Sequence, residues 1–174
     1  LNISTGGPVD ILMPDLPGEW SSSLIDSNRV DRLDFLKSVD SIWLMVNGQT
    51  LMARQSRQLA LHRTKRLMKR IAAFLDFGLP PVTLVITRHD FGRPSTETIK
   101  VLMKEAGDLG ISMNVINVAS FADGGKAEAG AGIADLISWT LKDRSLGTLP
   151  FWLDSEVSGE RRLVLKFRDR GGNS

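Results

Sequence analysis

The chain contains no cysteine, which excludes disulfides and thiolate metal sites and suits a reducing compartment; a cytoplasmic location is expected. Its two histidines, His62 and His89, are too few for a histidine-rich metal site, and both are expected to face solvent. No apolar run approaches the roughly 20 residues of a membrane-spanning helix, so no membrane span is expected. An excess of charge of one sign is also missing. Lys+Arg 22 against Asp+Glu 20 leaves a formal net charge of +2, too slight to imply a nucleic-acid partner. There is no internal repeat and no low-complexity tract. What is present, 174 residues of which 42% are hydrophobic, can bury a core and is most simply one domain with a short appendage.

Short β-rich runs alternate with helical stretches, the pattern of a mainly parallel sheet covered by helices, hence an α/β fold. The run Val9-Asp10-Ile11-Leu12-Met13 reads as a strand, followed after Gly18 by a polar loop through Ser21-Ser22-Ser23 and a helix over residues 28–38. A buried strand over 41–46 turns at Asn47-Gly48. The longest helical stretch, 51–77, sets Ala60, Thr64, Leu67, Ile71, Phe74 and Leu75 on one face, and Pro80-Pro81 forbid its continuation. Next come a strand over 82–86 and a helix over 95–109 with Ile99, Leu102, Met103 and Ala106 inward. A strand over 111–118, a glycine-rich loop over 123–132 and a helix over 133–142 complete the core. Residues 1–147 form the main domain in this reading; 148–174 add a β-hairpin and tail around Ser158-Gly159.

Three of these strands end in residues able to carry chemistry. Asp15-Leu16-Pro17-Gly18-Glu19 places a carboxylate and a glycine amide at the carboxyl end of the first strand, where open α/β sheets bind ligands. Asp, Pro and Gly are also the ordinary residues of a turn, and Asp169-Arg170-Gly171-Gly172 has the same spacing in a polar tail. Thr87-Arg88-His89-Asp90 closes the run Val82-Thr83-Leu84-Val85-Ile86, and Val118-Ala119-Ser120 closes Met113-Asn114-Val115-Ile116-Asn117.

Thr87-Arg88-His89-Asp90 resembles the N/T-K-x-D guanine-recognition motif of the translation-factor and Ras-like GTPases. With the D-x-x-G at Asp15 and Gly18 before it and Val118-Ala119-Ser120 after it, three motifs stand in that family's order. The resemblance implies that Asp90 accepts both the N1 proton and the exocyclic amine proton of guanine, a pair of contacts adenine cannot supply. It implies that Arg88 lies along the base, that Thr87 braces the loop through backbone, and that Ala119 and Ser120 meet the guanine carbonyl. Asp15 would hold Mg²⁺ and the Gly18 amide the terminal phosphate. Glu19 stands where Ras-like enzymes carry the Gln that orients the attacking water; its charge would repel the γ-phosphate, and an exposed Glu near a helix start is the other reading. The cofactors implied are GTP/GDP and Mg²⁺.

The Asp-Leu-Pro-Gly-Glu-Trp run, the long charged helix and Thr-Arg-x-Asp look most like the bacterial double-GTPase modules, which act as nucleotide-dependent switches. The resemblance covers about residues 9–142. No G-x-x-x-x-G-K-[ST] loop, whose amides and Lys cradle phosphates, occurs in these residues. Gly124-Gly125-Lys126-Ala127 comes nearest but has Ser120 in place of the first Gly and Ala127 in place of the metal-binding hydroxyl. The expectation is a three-layer GTPase-like fold lacking its first strand and phosphate loop, the carboxyl-terminal two-thirds of such a domain. Residues 9–13 and 42–46 would then not pair directly, the slot between them being filled by a missing segment or a partner. The alternative is a degenerate GTPase-like scaffold that holds a protein partner without hydrolysis.

Two other signals are open. The run Arg63-Thr64-Lys65-Arg66-Leu67-Met68-Lys69-Arg70 is a solvated helix face or a surface for an acidic partner or phosphates. Trp43 and Trp139 are expected in the core, Trp20 and Trp152 on contact surfaces.

Overall fold

The computed structural model describes residues 13–14, 18–27, 33–75 and 79–142. Three runs dominated by branched aliphatic residues form parallel strands: β1 (Ile42–Asn47), β2 (Val82–Thr87) and β3 (Met113–Asn117), in the order β1-β2-β3. Leu44 is in register with Leu84, and Leu84 with Val115. Val82 through Ile86 are all buried, as befits a central strand with helices on both faces. In β1 the buried residues Ile42, Leu44 and Val46 alternate with Trp43 and Met45, and Met45 is 62% exposed. Among the described residues β1 has no strand on its other edge.

The helices are α1 (Gly18–Ser27), α2 (Gly48–Met52), α3 (Arg54–Phe74), α4 (Thr96–Asp108) and α5 (Ile133–Lys142). One sheet face packs Leu44, Val46, Leu84 and Ile86 against Leu61, Met68 and Ile71 of α3 and Leu102 and Ala106 of α4. The other face sets Val85 and Val118, with Trp43 and Ile116, against Leu136 of α5. The result is the mixed α/β arrangement expected, layered on both sides of the sheet. No helix among the described residues is long and apolar enough to cross a membrane.

Several local expectations are corrected. Ser21–Ser23 lie within α1, not in a loop; burial of Leu24 and Ile25 against α3 outweighs the weak helix propensity of serine. In place of a helix over 28–38, the described part is a 3₁₀ turn, Asp34–Ser38, that buries Leu36. The long helix is interrupted at Ala53, whose extended backbone separates α2 from α3. Asn47 does not merely turn the chain; its side chain caps α2 by accepting from the Gln49 amide at 2.9 Å. Met103 and Trp139 are exposed, each 37%, because α4 turns Thr98, Leu102 and Ala106 inward and α5 buries Leu136 alone. His62 is exposed as expected, whereas His89 is half-buried, its Nε2 accepting from Arg93 Nε at 3.4 Å.

Part of the basic run meets an acid inside the chain. Lys65 and Lys69 of α3 pair with Glu105 of α4 at 3.0 and 3.1 Å. Both lysines hold its carboxyl below the usual carboxylate range. Of the strand expected at 9–13 only Met13 is described, exposed and in no strand; the rest of that strand, its relation to β1, the hairpin of the carboxyl-terminal segment and Trp152 lie outside the described residues.

Candidate functional site

The carboxyl ends of three parallel strands lie side by side, and the chemistry-bearing residues follow them directly. Gly48 follows β1 and lies so close to β2 that a Cβ there would sit 2.6 Å from the Thr87 carbonyl oxygen. This proximity brings α2 to the loop after β2, where Arg88 Nη1 donates to Gln49 Oε1 at 3.3 Å. Arg88 has φ 57° and ψ 40°, the sole positive φ at a non-glycine residue among those described. Such a conformation costs an L-residue about 1–2 kcal/mol, and its guanidinium is steadied by Gln49 and by the Phe91 ring, 5.5 Å from Cζ to centroid. Thr87 Oγ1 donates to the Val46 carbonyl at 3.4 Å, so its hydroxyl bonds backbone across the β1–β2 seam.

The left-handed residue throws the chain into a 3₁₀ turn, His89–Phe91, that points Asp90 inward. Asp90 is 3% exposed. Its Oδ2 accepts from the Gly124 amide at 2.8 Å, and its carbonyl accepts from the Lys126 amide at 2.8 Å. No Lys or Arg among the described residues forms an ion pair with it.

The loop after β3 is tied to the same turn. The His89 amide donates to the Val118 carbonyl at 3.0 Å, and the Val118 amide to Ile86 at 2.8 Å. Ala119 is fully buried; its amide donates to Ala131 at 3.0 Å and its carbonyl accepts from Gly130 at 2.7 Å. Ser120, the next residue, is exposed. At the start of α5, Gly132 has φ 77° and leaves no space, since a Cβ would lie 2.0 Å from the Asn117 carbonyl oxygen.

Comparison with known families decides the assignment: the sequence model of the family described as Double-GTPase 2 matches residues 1–140. The chain belongs to the Double-GTPase 2 family. No curated protein and no solved structure matches it.

Within this Double-GTPase 2 chain, Thr87 at the end of β2 and Arg88, Asp90, Ala119 and Ser120 in the loops after β2 and β3 lie at one end of the sheet. The Ala119 amide is already committed to Ala131, so of that pair the Ser120 amide is the one left for a ligand. Gly18 and Glu19 open α1, the side chain of Glu19 not being described, and Asp15 lies outside the described residues. Among the described residues no group of three or more His, Asp or Glu side chains forms a metal-holding cluster. Sequence reasoning missed Gly124 and Gln49. Gly124 lies in the Gly-Gly-Lys stretch rejected as a phosphate loop, and its actual contact is with Asp90. A backbone donor leaves no signature in its residue type, and the glycine pair was the one available hint.

Proposed function

We propose that these residues form the guanine-reading part of a GTP-binding switch domain, cytoplasmic, whose activity is Mg²⁺-dependent hydrolysis of GTP to GDP. The observation that carries this reading is Asp90, a buried carboxylate with a single hydrogen bond to its side chain and no cation paired with it among the described residues. A carboxylate offers about four acceptor sites, and a base that covers them must replace the water it displaces or leave them unpaired at a cost. The N1–H and 2-amino group of guanine supply the missing donors. Adenine, with an acceptor at N1 and no 2-amino group, leaves the cost in place.

Around that contact, the Arg88 guanidinium supplies a flat cationic surface for the purine, Thr87 fixes the end of β2 on β1, and the Ser120 amide is a donor for the guanine carbonyl. Asp15 would hold Mg²⁺ and the Gly18 amide would meet the terminal phosphate; this part of the proposal rests on the D-x-x-G sequence. Bound Mg²⁺ supplies charge neutralisation for the phosphates. Glu19 follows the glycine, where Ras-like enzymes carry the Gln that orients the attacking water, and its charge would repel the γ-phosphate.

The test is equilibrium competition among GTP, ATP and XTP for the protein and its Asp90→Ala variant. Loss of the guanine preference supports the reading. Unchanged base selectivity would reduce residues 87–90 to an ordinary loop.

A further inference from the structure

Asp90 is not simply exposed to a ligand at the end of a strand; a second loop grips it at two points 2.8 Å long, from the Gly124 amide to its carboxylate and from the Lys126 amide to its carbonyl. The grip is tight. A Cβ at position 124 would lie 2.4 Å from the Asp90 carbonyl oxygen and 2.7 Å from the Phe91 Cα, so only glycine brings its amide this close. Resting on the proposed guanine site, we infer that Gly124 is a positioning residue for base selection: its N–H pins one carboxylate oxygen and so fixes the plane in which the other acceptors of Asp90 meet the base.

The physical consequence is directional. A backbone N–H can only donate, so whatever stands at position 90 must turn an acceptor toward Gly124. A carboxylate satisfies this with acceptors to spare. An asparagine would satisfy it only by turning its carbonyl to Gly124, which sends its NH₂ toward the base. That NH₂ opposes the donors of guanine and matches the 2-carbonyl of xanthine. Selectivity at the base would therefore depend on a residue 34 positions downstream that does not touch the base.

The experiment is ligand-observed NMR competition among guanosine, xanthosine and adenosine monophosphates on the full 174-residue chain, in wild type, Asp90→Asn, Gly124→Ala and the double variant. The expected wild-type preference is guanosine over xanthosine by about tenfold or more, the factor of one lost polar contact. Asp90→Asn is expected to reverse it. In the Gly124→Ala background both preferences should shrink to about threefold or less, because the side chain at 90 is no longer pinned. Amide spectra and melting curves establish that each variant is folded. Should Gly124→Ala fail to fold, the Gly124 amide proton decides: a resonance that shifts both on Asp90→Asn and on addition of guanosine monophosphate supports the inference, and one indifferent to both overturns it. A folded Gly124→Ala protein that keeps the wild-type preference also overturns it. A wild-type chain that does not discriminate guanosine from adenosine overturns the guanine site itself, and the role of Gly124 with it.

Discussion

The indole Nε1 of Trp43 donates to Thr140 Oγ1 at 2.9 Å, joining β1 to α5 across the sheet face. The hydroxyl in turn donates to the Leu136 carbonyl at 2.8 Å, so Thr140 accepts and donates at once and its proton position is fixed. Thr140→Val keeps the shape but leaves a half-buried indole N–H without an acceptor. The expected loss is about 1–2 kcal/mol of stability, read by chemical denaturation, with a shift in Trp emission. A loss within error of zero would mean that water replaces the hydroxyl and that α5 does not depend on this bond.

Glycines 130 and 132 separate two effects that usually travel together. Both have positive φ, 83° and 77°, but a Cβ at 130 meets nothing within 4 Å, whereas one at 132 would lie 2.0 Å from the Asn117 oxygen. Gly130→Ala should cost about 1 kcal/mol, for conformation alone. Gly132→Ala should cost more than about 3 kcal/mol, since the start of α5 must leave β3. Thermal melts of the two variants test this, and equal losses would show that the loop yields freely at 132.

Much of this arrangement can be read from the residues because local signals agree. β2 is a largely apolar run preceded by Pro80-Pro81, and α4 is capped by Ser95, whose Oγ accepts from the Thr98 amide at 3.3 Å. The Thr87–Asp90 motif lies at the carboxyl end of β2 because strand and motif are contiguous. The rest required tertiary contacts. A serine run in α1 becomes helical because Leu24 and Ile25 are buried, at 3% and 5% exposure. Trp139 is exposed because α5 buries only Leu136. The Gly124 bond to Asp90 unites residues whose proximity depends on how the loops after β2 and β3 cross.

Glu105 gives a pH signature. Its folded-state pKa lies below its ordinary value, first through hydrogen bonds from Lys65 and then from Lys69. A depressed carboxyl contributes stability above the unfolded value, about 4.3, and that contribution is lost as pH falls through the folded-state value. Glu105→Gln should therefore cost about 0.5–1 kcal/mol at neutral pH, at the upper end of ion pairs with surface lysines, and almost nothing in acid. Denaturation of both proteins across this range, in low and high salt, tests it. A difference that persists undiminished in acid would assign the effect to packing, not charge.

The remaining prediction concerns turnover. The 174-residue polypeptide by itself should bind GTP weakly and hydrolyse it at no useful rate. In the proposed site, base contacts from Asp90, Arg88 and Ser120 would select the nucleotide but would not meet the triphosphate. In this sequence no G-x-x-x-x-G-K-[ST] loop supplies the amides and Lys that do. Phosphoryl transfer depends on positioning and charge stabilisation at the phosphates, and in the proposed site Glu19 would add a repulsive charge where Ras-like enzymes carry a neutral side chain. Phosphate release and isothermal titration with GTP measure this directly, with Asp15→Ala as the control for contaminating GTPases. Turnover or micromolar affinity that disappears in the control would place a phosphate site within these residues and overturn the prediction.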